Sequence, residues 1–207
     1  PNMYAYVGNN PWNATDPTGR YRCGDGPCDS RVVRAISDLT TAAANATDED
    51  SAARLSALVE FFGTEGQDNG VEITVGDAAG ALARTDTAPG GQSVSIVFDA
   101  ERLDRYSSLP FGRALLAGVA AHEGRHGLDG RANRGNPVDA NAAEMTGRNA
   151  QRDEISAVNA LQAAGYTSFT GSVNPPPNAS AAVIANALDL AGADHRSDYC
   201  SAGMRTG

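Results

Sequence analysis

Lysine is absent from this chain. All 16 basic residues are arginine, set against 25 acidic ones, and the formal charge is −9. An acidic balance of this size argues against a nucleic-acid binder, because phosphate contacts need a basic surface. The missing lysine reads first as compositional bias alongside abundant Ala, Gly and Arg; it also leaves a eukaryotic cytosol no ubiquitin acceptor. Long apolar runs are missing too: none approaches the roughly 18–20 residues that span a bilayer, so no membrane span is expected. No charged-then-apolar leader opens the chain, so no Sec signal is expected either. Cysteine is scarce, three in 207 residues, too few for a disulfide scaffold. Cys23 and Cys28 bracket the turn-rich Gly24-Asp25-Gly26-Pro27 and could close one small disulfide or stay as thiols. With aromatics at 6% and a hydrophobic fraction of 41%, what remains is a soluble globular chain able to bury one principal core.

Histidine is also scarce, and its placement is informative. Of three histidines, two stand in Ala121-His122-Glu123-Gly124-Arg125-His126, an H-E-x-x-H motif inside a helical run. Residues four apart lie on one helical face, so His122 and His126 can reach one metal ion. Glu123, on the adjacent stripe, can hold a water without ligating the metal. This is the donor set of zinc-dependent hydrolysis: two imidazole ligands on zinc, a position for water, and Glu123 as general base. The apolar Leu115–Ala121 run before the motif backs the site with core. Two residues sit awkwardly in such a helix: Arg125 is charged, and Gly124 weakens a helix by ~1 kcal/mol.

Periodicity predicts a helix-rich α+β fold with a small sheet. Ser30 to Ala44 carries Val32, Val33, Ile36 and Leu39 at helical spacing. Thr47-Asp48-Glu49-Asp50 is a capping sequence for a second helix through Leu55, Leu58, Val59 and Phe62, stopped by Gly63. Val71–Val75 and Ser93–Asp99 read as strands, the second alternating Val94, Ile96 and Phe98 with Ser93, Ser95 and Val97. Pro110 opens the motif helix, Leu115, Leu116 and Val119 form its buried stripe, and Gly127 or Gly130 ends it. Asp139 to Ala164 is one long helix carrying Met145, Ile155, Val158 and Leu161. A rigid linker, Asn174-Pro175-Pro176-Pro177-Asn178, separates it from a last helix, Ala179–Leu190, and a polar tail.

The first twenty residues have another character, a short strand at Met3–Val7 among Asn-Pro and Asp-Pro turns. Tyr4, Tyr6, Val7, Asn9, Asn10 and Pro11, then Asp16, Pro17 and Gly19, resemble the closing pattern of the Rhs repeat-associated core, Y-x-Y-V-x-N-N-P followed by D-P-x-G-L. Arg20 stands where leucine is usual. The resemblance covers about a tenth of the chain and implies a junction: residues 1–20 end the core and residues 21–207 are its toxin cargo. It further implies a cage of YD repeats enclosing the toxin in the producer, delivery into a target cell by a secretion system, and a cognate immunity protein.

The order of predicted elements resembles the small zincin metallopeptidase core, with its motif helix followed by a ligand helix. In the gluzincin type the third ligand is a glutamate from that next helix. Glu144 lies near the usual interval, with Gln151 and Val158 on its stripe, and is the first choice; Glu154, with Val158 and Leu161 at i+4 and i+7, is the alternative. Asp129 and Asp139 are weaker candidates, and the third histidine of metzincins is absent because Ala132 stands there. A developing oxyanion wants a second donor, for which His195, Tyr166, Tyr199 and Tyr106 are available, His195 as the remaining histidine. Ser93–Asp99 is the expected edge for pairing an extended peptide. Arg22-Cys23-Gly24 resembles the matrix metalloprotease propeptide, whose thiolate caps the zinc. The expected function is a zinc metalloprotease toxin acting on a target-cell protein. Alternatives are a metal-dependent amidase acting on peptidoglycan and a non-enzymatic, metal-stabilised binding toxin.

Overall fold

A computed structural model of the chain describes residues 21–166 except positions 25, 67 and 110. The Rhs-like junction, Pro110, the proline linker, the expected helix Ala179–Leu190, His195 and Tyr199 lie outside the described residues. The elements are α1 (Ser30–Ala44), α2 (Glu49–Phe62), β1 (Val71–Gly76), β2 (Ala83–Thr87), β3 (Val94–Asp99), α3 (Ala100–Ser107), α4 (Gly112–Ala132) and α5 (Ala140–Ala163). This is the helix-rich α+β arrangement that the periodicity predicts. Two elements were not predicted, the polar strand β2 and the short charged helix α3.

Four helices start on an aspartate whose side chain accepts a backbone N–H. Asp29 takes it from Arg31, Asp48 from Ser51, Asp99 from Arg102 and Asp139 from Ala142. Each satisfies a donor that a helix start leaves unpaired. Asp139 is therefore a helix cap, which accounts for its side chain without a metal.

The sheet runs β1-β3-β2, with β1 parallel and β2 antiparallel to β3. Ile96 of β3 faces Ile73 on one side and Thr85 on the other. Val94, Ile96 and Phe98 are buried, as their alternation predicts, but β3 is the central strand. The expected peptide edge at Ser93–Asp99 is thus corrected: among the described residues, β2 is the edge strand beside α4.

Helix α4 packs against all four other helices and against β2 and β3. Ala114 through Gly124 is buried without a break, so the whole circumference is core rather than a stripe of Leu115, Leu116 and Val119. Its Ala114–Ala121 part is apolar all round, as such a position requires. Neither Gly127 nor Gly130 ends it. A Cβ at Gly127 would lie 2.4 Å from Phe61 Cζ, and one at Gly130 2.1 Å from Thr87 Oγ1, so both mark close packing.

Tyr21 joins the core at the start of the described chain. It is 2% exposed and edge-on to Phe62 at 6.4 Å. Burial, and then Glu65, push its phenol up to about 12. In the unfolded chain the phenol ionises near 10, so its contribution is present below pH 10 and is lost as pH rises through about 12. Wild type should lose stability across that window from this group. Urea midpoints of Tyr21→Phe, which has no phenol to ionise, should fall correspondingly less.

Candidate metal centre

His122 and His126 stand one turn apart on α4, and their rings meet. The two Nε2 atoms are 3.2 Å apart, with ring centroids at 4.9 Å. Nitrogens bound at ~2.0–2.1 Å to one tetrahedral zinc would be about 3.3 Å from each other, so the spacing matches two of the three protein ligands that such a site takes. His122 is 6% exposed, and His126 is half-buried. On the opposite edge of its ring, His122 Nδ1 meets Glu154 Oε2 of α5 at 2.9 Å. Burial acts to lower the His122 pKa, but the Glu154 hydrogen bond and the charges of Glu154, Glu123 and Asp153 outweigh it and hold the imidazole above its ordinary value. Burial, with the neighbouring His122, pushes His126 down to about 4 against the pull of Glu123.

Glu123 is 0% exposed and faces the sheet. Thr85 Oγ1 of β2 donates to its Oε2 at 2.6 Å and lies 3.2 Å from its backbone carbonyl. The strand that periodicity misses is therefore the one that positions the candidate base. Its only sequence signal is a Thr between two charged residues, Arg84 and Asp86, which identifies a polar edge but not its partner.

The two glutamates of α5 are placed differently. Glu144 lies on an exposed turn with its side chain 61% exposed and ion-paired to Arg148. Gln151, on the same expected stripe, is exposed as well. The inward stripe is instead Ala150, Asp153, Glu154, Ala157, Val158 and Leu161. Glu154 therefore reaches the histidines, through the outer nitrogen of His122, and Glu144 does not. Among the described residues no group of three His, Cys, Asp or Glu is arranged to hold a metal ion. Asp129, two turns along α4 from His122, has a buried Oδ2 without a hydrogen-bond partner among the described residues, and its Oδ1 is 3.8 Å from Arg125 Nη1. Burial holds its carboxyl above the usual range, with Arg125 opposing and Asp153 adding to the shift.

The two awkward residues of the motif have packing reasons. A Cβ at Gly124 would lie 2.7 Å from Phe62 Cε2, so glycine lets α2 pack onto the motif. Gly124→Ala is expected to destabilise by about 1–3 kcal/mol through overpacking. Thermal melts should show partial recovery when Phe62→Leu is added. Arg125 Nε donates to Asp153 Oδ2 at 2.6 Å, and Arg54 Nε to Asp153 Oδ1 at 2.7 Å, which ties α4, α2 and α5 at the level of the motif.

Other candidates are placed elsewhere. The Arg113 guanidinium covers the Tyr166 ring at 4.2 Å, and Tyr166 Oη is 3.5 Å from Thr41 Oγ1 of α1. Tyr106 is buried in the core on α3. Cys23 is bonded to Cys28, so no Cys23 thiolate is available as a latency cap. That disulfide borders a cavity of about 500 Å³ against Ile73–Val75 of β1, away from both imidazoles. No family model, curated protein or solved structure matches this chain.

Proposed function

We propose that the chain is a zinc-dependent peptide hydrolase, carried as toxin cargo behind an Rhs core and directed at a protein of the target cell. The observation that carries this reading is the convergence of the His122 and His126 Nε2 atoms at 3.2 Å on a core-backed helix, with Glu123 between them in sequence. The Rhs-like pattern in residues 1–20 supports the cargo half of the reading.

His122 and His126 would hold zinc through Nε2. When bound, the ion supplies a Lewis acid for the peptide carbonyl and a lowered pKa for water. Glu123 takes the proton of the attacking water on a carboxylate oxygen and delivers it to the departing amine. Thr85 fixes that carboxylate from β2, and the same strand is the edge beside which an extended substrate would pair. Arg125 turns away from the chemistry into Asp153 and neutralises part of the acidic cluster behind the site.

Complete burial of Glu123 favours a second reading, the non-enzymatic binding toxin, in which this acid serves only the fold. Mapping new peptide termini in a target-cell extract separates the two. The hydrolase reading expects new termini with the zinc-loaded chain and none after His126→Ala. Toxicity that survives without any new termini would favour the binding toxin, and toxicity confined to the periplasm would favour the peptidoglycan amidase.

A further inference from the structure

We infer that Glu154 is a positioning residue that fixes the His122 imidazole from behind, and is not the third metal ligand. The inference rests on the zinc reading above and deepens it. Glu154 Oε2 lies 2.9 Å from His122 Nδ1, whereas the contact with His126 is made by His122 Nε2. The two ring nitrogens point away from each other. A carboxylate bonded at Nδ1 therefore cannot also reach an ion shared by the two Nε2 atoms.

The chemistry of the pair follows from the donor inventory. A carboxylate only accepts, so His122 donates Nδ1–H to Glu154, and its neutral form keeps the lone pair on Nε2, the nitrogen that faces His126. A carboxylate in this position orients a ligating histidine and raises its basicity, and its loss commonly weakens metal binding about 10–100-fold.

The fold is built to hold this contact. Glu154 is 8% exposed on the inward stripe of α5. Gly118, one turn before His122, gives it room: a Cβ there would be 3.3 Å from both Glu154 Cγ and the Glu154 carbonyl oxygen, and 2.6 Å from Val158 Cγ2. Asp153, next in the chain, is clamped by Arg54 and Arg125 and fixes the position of α5 along α4.

Three measurements on the full chain test this, using Glu154→Gln and Glu154→Ala. In the zinc-free protein, at a pH high enough for His122 to be neutral, long-range ¹H–¹⁵N spectra of the histidine rings should show His122 as the Nδ1–H tautomer in wild type and a mixture in Glu154→Ala. Zinc affinity, measured by competition with a chromogenic chelator, should fall about 10-fold in Glu154→Gln and about 100-fold in Glu154→Ala. X-ray absorption at the zinc edge should give the same number of first-sphere neighbours in wild type and Glu154→Gln. An oxygen neighbour lost from the first sphere in Glu154→Gln, or an unchanged affinity and tautomer in Glu154→Ala, would overturn the inference while leaving the peptidase reading intact. Failure of wild type to take up zinc overturns the peptidase reading and the metal-binding half of this inference together; the tautomer measurement then shows whether Glu154 still orients the ring.

Discussion

Glu123→Gln is expected to lower the proposed peptide hydrolysis about a thousandfold without loss of zinc uptake or of the fold. Glutamine matches glutamate in shape, and its amide oxygen can still accept the Thr85 hydroxyl that now reaches Oε2 at 2.6 Å. The neighbouring imidazoles are left untouched. Under the proposed mechanism, what is removed is the group that takes a proton from water and returns it to an amine, a role worth about 10²–10⁴-fold in rate. Three readouts on one preparation decide the matter: cleavage rate on a mapped substrate, zinc per chain, and the thermal midpoint. Retained cleavage would remove Glu123 from the chemistry. A collapsed fold would show that the carboxylate charge is needed structurally, which is the expectation of the binding-toxin reading.

Asp153→Ala should have the largest effect on stability, a loss of about 3–5 kcal/mol. The carboxylate is 0% exposed and gives one oxygen to each of two guanidiniums, Arg54 at 2.7 Å and Arg125 at 2.6 Å. Those side chains are only 12% and 16% exposed, so removal of their common partner strands positive charge in poorly hydrated surroundings. Arg54 retains Asp50, Ser51 and Ser156 as neighbours, whereas Arg125 keeps only the more distant Asp129 among its ion-pair partners in the described residues. Adding Arg125→Leu to Asp153→Ala should therefore recover more stability than adding Arg54→Leu. Urea midpoints of the three chains test the order, and a single-variant loss under about 1 kcal/mol would contradict the role given to this cluster.

Much of the fold was legible because its buried residues are periodic. Val32, Ile36 and Leu39 in α1, and Val94, Ile96 and Phe98 in β3, lie where their spacing puts them. The missed β2 has Arg84, Thr85 and Asp86 at its centre, so neither face of that strand carries an apolar signal. The missed α3 is eight residues long and buries only Leu103 and Tyr106. In α5 the difficulty was alanine. The inward stripe includes Ala150, Ala157 and Ala160, which are buried but contribute little contrast to a hydrophobic pattern. Large residues misled instead, since Met145 is 65% and Ile155 42% exposed. The interval from His126 favours Glu144, and an interval says nothing about which turns of a helix leave the core. The motif histidines needed no such choice, because the i and i+4 spacing alone sets their shared face. Arg125 and Thr85 find their partners through long-range packing, Asp153 on α5 and Glu123 across the α4–β2 contact, and no local pattern encodes those pairs.

The proposed function requires the two motif imidazoles to share one zinc ion, and zinc stoichiometry reads this out. Elemental analysis of the purified full chain after equilibration with zinc and removal of excess should give about one zinc per chain in wild type and in Glu123→Gln, and close to none in His122→Ala and His126→Ala. A wild-type chain that retains no zinc, or a His122→Ala/His126→Ala double variant that retains as much as wild type, would contradict it.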